Sequence, residues 1–339
     1  MLAGSVTRSS VLSRIARPAL LFTSLAALAL PVQAAETART EQLVIVSFDG
    51  AHDNAMWDRS LKIADKTGAH FTYFLSCTFL MSKAERKSYT APGKSAGASN
   101  IGFAPDHDDV EKRLDHIWTA YRAGHEMGSH GCGHFDGGSW TASQWSAEFD
   151  QFDTALKSAW ATIGSKDREP DGWQDMAANA IKGFRAPYLS SGDGLFAALA
   201  EHGFTYDAST VSRGPAEPET GKTPARFSLP LIPEGPRERP VIAMDYNLFV
   251  RHSKGEETPE HKAEYEKRSI EAFEAAFKAQ YEGERIPLQL GFHFVPMNGG
   301  AYWDALDTFL TDVCGKPDVK CVTYSEAFER LKKADPSAS

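Results

Sequence analysis

Two histidines four residues apart, His130 and His134 in "GHEMGSHGCGHFDG", are residues whose type and spacing could do chemistry. Neutral imidazole is a common ligand for zinc and related divalent ions, and a loop or first helical turn with this spacing can bring two rings to one face. Gly131 and Gly133 argue against the regular helix of a zinc protease, and the His-Glu-x-x-His order is absent. Four more residues with chemical capacity stand at the ends of strand-like runs: Asp49 in "SFDGAHDN", Arg185 in "FRAPY", Asp207 in "TYDAS" and His293 in "GFHF". Singly, each has a plainer use: Arg185 as an ion-pair partner, Asp207 as a turn residue, His293 as a core histidine bonded to backbone. Together they supply an acid, a base, an arginine and two metal ligands, the set needed for metal-assisted hydrolysis.

The elements that must position them alternate short apolar runs with segments of helical period, as repeated βα units do. Strands are expected at 43–48, 71–75, 125–130, 182–186, 205–209, 241–249, 287–294 and 320–324, with helices between them, including 55–66, 108–124, 142–162, 193–202, 260–281 and 301–312. The run "LVIVSF" is almost wholly apolar, which marks a strand buried on both faces. Residues 82–107 are rich in Gly, Ser, Ala and Pro, and residues 212–240 carry many prolines, so both read as insertions. The chemical residues fall at the C-terminal ends of strands, where α/β barrels place their active sites.

The start of the chain has another purpose. Arg8, Arg14 and Arg17, the apolar run from Ala19 to Leu30 and the small residues of "VQA" form a secretory signal peptide over residues 1–34, with cleavage after Ala34. Its apolar run is shorter than the roughly 20 residues that span a bilayer. Its loss takes the formal charge from −9 to −12, a poor balance for a nucleic-acid partner. Export permits disulfides among Cys77, Cys132, Cys314 and Cys321. Cys314 and Cys321 flank a short turn and make a local pair, which leaves Cys77 for Cys132, although four cysteines allow three pairings.

The pieces "VSFDG", "GHEMGSHGCGH", "GFRAPYL", "GFTYDAS" and "LGFHF" resemble, in order, the motifs of the polysaccharide deacetylase family, also called carbohydrate esterase family 4 or NodB-like. The likeness runs from Leu43 to about Leu331, one catalytic domain within residues 35–339. It implies a distorted α/β barrel with seven strands, (β/α)7. It also implies a divalent ion, zinc before cobalt or nickel, held by His130 and His134, with Asp49 as base, Arg185 holding that base, and His293 as general acid oriented by Asp207. Tyr188 would supply a backbone N–H to the oxyanion, and Trp303, after the turn "NGGAY", could pack on a sugar ring. The departure is Gly50, where the family has a second aspartate that binds the metal. Asp53 or His52 in the same loop, a water, or Asp49 itself could replace it, although Asp53 also reads as a helix N-cap. The implied activity is removal of N-acetyl groups from amino sugars of an extracytoplasmic glycan such as peptidoglycan, chitin oligomers or an exopolysaccharide. A non-catalytic carbohydrate-binding protein and an O-acetyl esterase are the alternatives.

Overall fold

The computed structural model describes residues 40–334, so the signal-peptide segment lies outside the described residues. The first half of the chain runs β1 (Gln42–Gly50), α1 (Asn54–Thr67), β2 (Thr72–Leu75), α2 (His107–Arg122), β3 (Glu126–Ser129), α3 (Ala142–Thr162), α4 (Trp173–Asn179) and β4 (Gly183–Phe184). The second half continues through α5 (Asp193–Glu201), β5 (Tyr206–Ser212), β6 (Ala225–Glu234), β7 (Arg239–Ile242), α6 (Asp245–Ser253), α7 (Lys262–Tyr281), β8 (Leu288–His293), α8 (Met297–Val313), β9 (Val319–Val322) and α9 (Tyr324–Ala334).

The strands form one sheet in the order β7-β6-β5-β4-β3-β2-β1-β8, with β9 also pairing with β1. All pairings are parallel except β6 with β7. The sheet curls until its ends touch: Gln289 of β8 donates from Nε2 to the Ser228 carbonyl of β6 at 3.0 Å, and the Gly291 N–H donates to the Ala243 carbonyl at 2.8 Å. Gly291 packs against Met244 at that seam: an added Cβ would lie 2.8 Å from the end of the Met244 side chain, which would have to shift. This is a curled half-barrel wrapped by helices, the distorted α/β barrel expected from the motifs.

Local chemistry explains the element ends. Asp53 accepts from the Met56 N–H at 2.9 Å and caps α1, which then closes on Gly68 in the left-handed region at φ 68°. Thr141 and Gln144 form a capping box at the start of α3. As expected of a strand covered on both faces, β1 is buried along almost its whole length. Phe48 stacks on Tyr73 and Trp303, with ring centroids 5.4 and 4.9 Å away. Both anticipated disulfides are formed, Cys77–Cys132 and Cys314–Cys321.

Two segments differ from the sequence reading. Residues 225–234, expected within an insertion, are the ten-residue strand β6, in which Pro230 stands opposite Ser212 of β5 and Pro233 opposite Pro240 of β7 rather than marking a loop. The expected strand at 241–249 stops at Ile242, and helix α6 begins at Asp245. Among the described residues, no helix is long and apolar enough to cross a membrane.

Candidate active site

At the C-terminal ends of the strands, Asp49 closes β1, His130 follows β3, Arg185 follows β4 and His293 closes β8. Parallel register brings the last pair together, because Asp49 and His293 are directly opposed on neighbouring strands. Asp49, His130, His134 and His293 line both a groove of about 510 Å³ and an adjoining recess of about 190 Å³.

The fully buried Arg185 guanidinium holds Asp49 by donating from Nη1 to Oδ1 at 3.0 Å. Its other hydrogen bonds run to the Ser47 and Tyr324 hydroxyls, each at 2.7 Å, and to the Ala208 carbonyl at 3.0 Å, while its charge lies 4.7 Å from the Phe74 ring centroid. Burial alone would raise the Asp49 pKa, but the charge of Arg185 leads the opposing effects, followed by His130 and His293, and the net direction is down. Asp49 is therefore an ionised carboxylate, suited to accept a proton.

His130 donates from Nδ1 to the Arg185 carbonyl at 2.7 Å, which fixes the ring and leaves Nε2 as the acceptor nitrogen. Burial holds its pKa down at about 3 and also lowers that of His134, so both imidazoles are neutral with an available lone pair. Their ring centroids are 5.1 Å apart. The loop between them is anchored by the Cys77–Cys132 bond and by the buried Glu148 carboxylate, which accepts from the Cys132 N–H at 2.8 Å.

These two rings fit a divalent ion as two of its ligands: they are neutral, adjacent, and in His130 carry the backbone bond that ligating histidines use. A third protein donor is not gathered. Among the described residues no group of three or more His, Cys, Asp and Glu side chains is arranged to hold a metal ion. Gly50 has no donor, and Asp53, expected as a ligand, spends its carboxylate on the α1 N-cap. His52 lines the recess and stacks on Phe79 at 4.8 Å.

Two more expectations are corrected. Asp207 does not touch His293: it lies near the start of β5, accepts from the Ser209 N–H at 3.1 Å and hydroxyl at 2.6 Å, and Ser209 in turn accepts from the Ala186 N–H. Burial pushes its pKa up to about 6. Trp303 is 0% exposed, donates from its indole N–H to the His293 carbonyl at 3.0 Å, and is a core residue beneath the site rather than a sugar platform. A tryptophan that packs in a core and one that faces a sugar carry the same local sequence signal.

The partner of His293 is Asp245, a residue absent from the sequence reading. Its Oδ1 faces His293 Nδ1 at 2.7 Å, and its Oδ2 accepts the His293 backbone N–H at 2.8 Å. Burial pulls the His293 pKa down, but the charge and hydrogen bond of Asp245, with the charge of Asp49, outweigh it and the pKa is raised. A signal for Asp245 was present: it follows the apolar run "VIAM" much as Asp49 follows "VIVSF", but reading 241–249 as one strand hid that end.

Tyr188 is 60% exposed beside His134, with ring centroids 4.7 Å apart, and its hydroxyl is 3.4 Å from Asn100 Nδ2. His134, Tyr188 and Leu189 all have positive φ, at 56°, 59° and 55°, a costly conformation for side chains of this size and one concentrated at functional sites. The same groove is lined by Tyr246, which is 52% exposed, with its ring centroid 6.1 Å from that of His293.

No protein-family profile and no curated protein matches the sequence. Among solved structures the chain is similar to a protein from Mycobacterium smegmatis assigned as a polysaccharide deacetylase, with 18% identity, a TM-score of 0.53, and coverage of 87% of this chain and 91% of that one. Weaker likenesses are to the Xyl-CE4 domain of a multidomain xylanase from the Trinervitermes trinervoides hindgut metagenome (13% identity, 86% and 91% coverage, TM-score 0.46) and to a CE4 family pseudoenzyme from Bacillus anthracis (11%, 85% and 66%, 0.44). The curled sheet, its helices and the first of these likenesses agree on one conclusion: this chain has the NodB-like fold of the polysaccharide deacetylases.

Proposed function

We propose that this protein is an exported hydrolase that removes N-acetyl groups from the amino sugars of an extracytoplasmic polysaccharide. The observation that carries the reading is the in-register pair of Asp49 and His293, one held ionised by Arg185 and the other bonded to Asp245, whose charge raises its pKa. Such a division between a base and an acid, set by environment, is what general acid–base catalysis needs. The secretory signal expected at residues 1–34 and the two disulfides support an oxidising, extracytoplasmic setting.

His130 and His134 would hold a divalent ion, zinc first, with water or substrate completing its coordination. Such an ion supplies Lewis-acid polarisation of the acyl carbonyl and a more acidic water. The chain's own residues do the proton work. Asp49 accepts a proton from the attacking water as its oxygen bonds to the carbonyl carbon. The backbone at Tyr188, beside His134, is suited to donate to the oxyanion. As the C–N bond breaks, His293 gives its proton to the departing nitrogen, which leaves as an amine beside free acetate. Arg185 keeps Asp49 charged and aimed, and Asp245 does the same for His293. Tyr188 and Tyr246, which both line the groove, offer ring faces and hydroxyls for sugar residues.

The test is acetate release with matching appearance of free amine when the purified protein meets N-acetylated chito-oligosaccharides, peptidoglycan and an acetylated exopolysaccharide. Release from at least one, lost in His293→Ala, is expected. Binding without release from any of them would replace the hydrolase by a carbohydrate-binding protein. Release from O-acetylated sugars alone would make it an esterase.

A further inference from the structure

Tyr324, the first residue of α9, is fully buried inside the barrel. Its ring packs among Phe74, Tyr206 and Phe227, with centroids 5.9, 5.2 and 5.2 Å away. Its backbone is seated at the start of β2 and β3, the floor opposite the mouth. There the Tyr324 N–H donates to the Thr72 hydroxyl at 3.2 Å, and the Ser325 N–H donates to the buried Glu126 carboxylate at 3.1 Å. Helix α9 thus delivers a phenol into the barrel from a part of the chain beyond every motif of the site.

That phenol stands in a chain of hydrogen bonds whose direction is fixed. A backbone carbonyl only accepts, so the Gln289 amide nitrogen is the atom that meets the Ser228 carbonyl at 3.0 Å, and its Oε1 is left as an acceptor. Tyr324 gives its one proton to that oxygen, 3.1 Å away, which turns a lone pair toward Arg185. Arg185 donates to the phenol from Nη2 at 2.7 Å, while Nη1 donates to Asp49 at 3.0 Å. The guanidinium is a rigid plane, so holding Nη2 on Tyr324 and Nε on the Ala208 carbonyl sets where Nη1 points. Resting on the hydrolase reading above, we propose that Tyr324 is a positioning residue for the reaction: it aims Arg185, and through Arg185 it aims Asp49 at the attacking water. Helix α9, which closes the floor, is then part of the catalytic apparatus.

Tyr324→Phe removes the hydroxyl and keeps the ring. Tyr206→Phe is the control, because it strips a hydroxyl that interacts with Glu126 from the ring stacked on Tyr324. Wild type and both variants are compared in acetate release from the best N-acetylated glycan and in the Arg185–Asp49 contact seen in crystal structures. Misplacing a reacting group by about 1 Å costs up to about 10²-fold, so kcat of Tyr324→Phe should fall about ten- to a hundredfold, with KM within about twofold of wild type. Nη1 should be drawn away from Asp49 in Tyr324→Phe, and Tyr206→Phe should keep both the contact and the wild-type kcat. Gln289→Met, which leaves the phenol but removes the acceptor that orients it, should lower kcat in the same sense and replaces Tyr324→Phe if that variant does not fold. An unchanged kcat, a change confined to KM, an equal fall in Tyr206→Phe, or an unmoved guanidinium would overturn the proposal. No acetate released by the wild type would reject the hydrolase instead, and the Arg185–Asp49 contact in the crystal structures would then decide alone whether Tyr324 positions the pair.

Discussion

Replacing Asp245 by Asn separates the charge of this residue from its shape. The carboxylate is fully buried and lies 2.7 Å from Nδ1 of His293, whose side chain is 28% exposed at the mouth. Two unit charges about 4 Å apart interact by roughly 4 kcal/mol at an effective dielectric of about 20, and about 1.4 kcal/mol is a factor of ten. Loss of the charge thus removes up to about three decades of preference for the imidazolium, within the 10²–10⁴ that a positioned general acid contributes. The sign is set by the raised pKa of His293: the acid form persists to higher pH in the wild type, so the alkaline limb of kcat/KM moves to lower pH in Asp245→Asn. Above neutrality the variant is expected to be about 10²–10³-fold slower. Toward the acid side, where His293 is protonated in both proteins, the two rates converge. Some stability is lost as well, about 1–3 kcal/mol, because the single amide oxygen of Asn cannot accept both the His293 ring N–H and the backbone N–H that the two carboxylate oxygens now accept. The assay is a pH–rate profile of acetate release. A variant profile parallel to the wild type at all pH values would refute the reasoning, since loss of fold lowers activity without moving the limb.

Asp53→Ala should cost about 1 kcal/mol in urea unfolding, the worth of an N-cap, and leave zinc affinity unchanged; weakened zinc binding would restore Asp53 as a ligand. Arg185→Met leaves Asp49 buried without its counter-charge and should destabilise the protein by about 3–5 kcal/mol, read from the denaturation midpoint; a loss below about 1 kcal/mol would contradict the clamp. His130→Ala should abolish the zinc binding seen by calorimetry with wild-type protein, while His52→Ala should retain it; equal loss in both would make His52 the third ligand.

How much of this could be read from the chain depends on the kind of signal. β1 and α3 were legible almost to the residue, because an apolar run and a capped helical period are local patterns. Asp49, His130, Arg185 and His293 were legible because each follows its strand and parallel strands bring their ends together. Asp245 was missed and Asp207 misassigned for one reason: which aspartate reaches His293 depends on how far the sheet curls, and the contact of β8 with the end of β7 spans 48 residues of sequence. Strand β6 was read as a loop from its prolines, although five of its ten residues pair with β5 and its Pro233 faces the antiparallel partner β7. Trp303 shows the opposite limit, since only packing tells an aromatic beneath a site from one facing it.

Acetate release by the wild-type protein and by Asp49→Asn, from the best of the N-acetylated glycans under identical conditions, tests the central claim most directly. Asn keeps the size of the side chain and a hydrogen-bond acceptor for Arg185 but cannot take the proton of water. The account predicts release in the wild type and at least 10²-fold less in the variant, with glycan affinity kept. Equal release by both proteins would remove Asp49 as the base, and with it the hydrolase built on the Asp49–His293 pair.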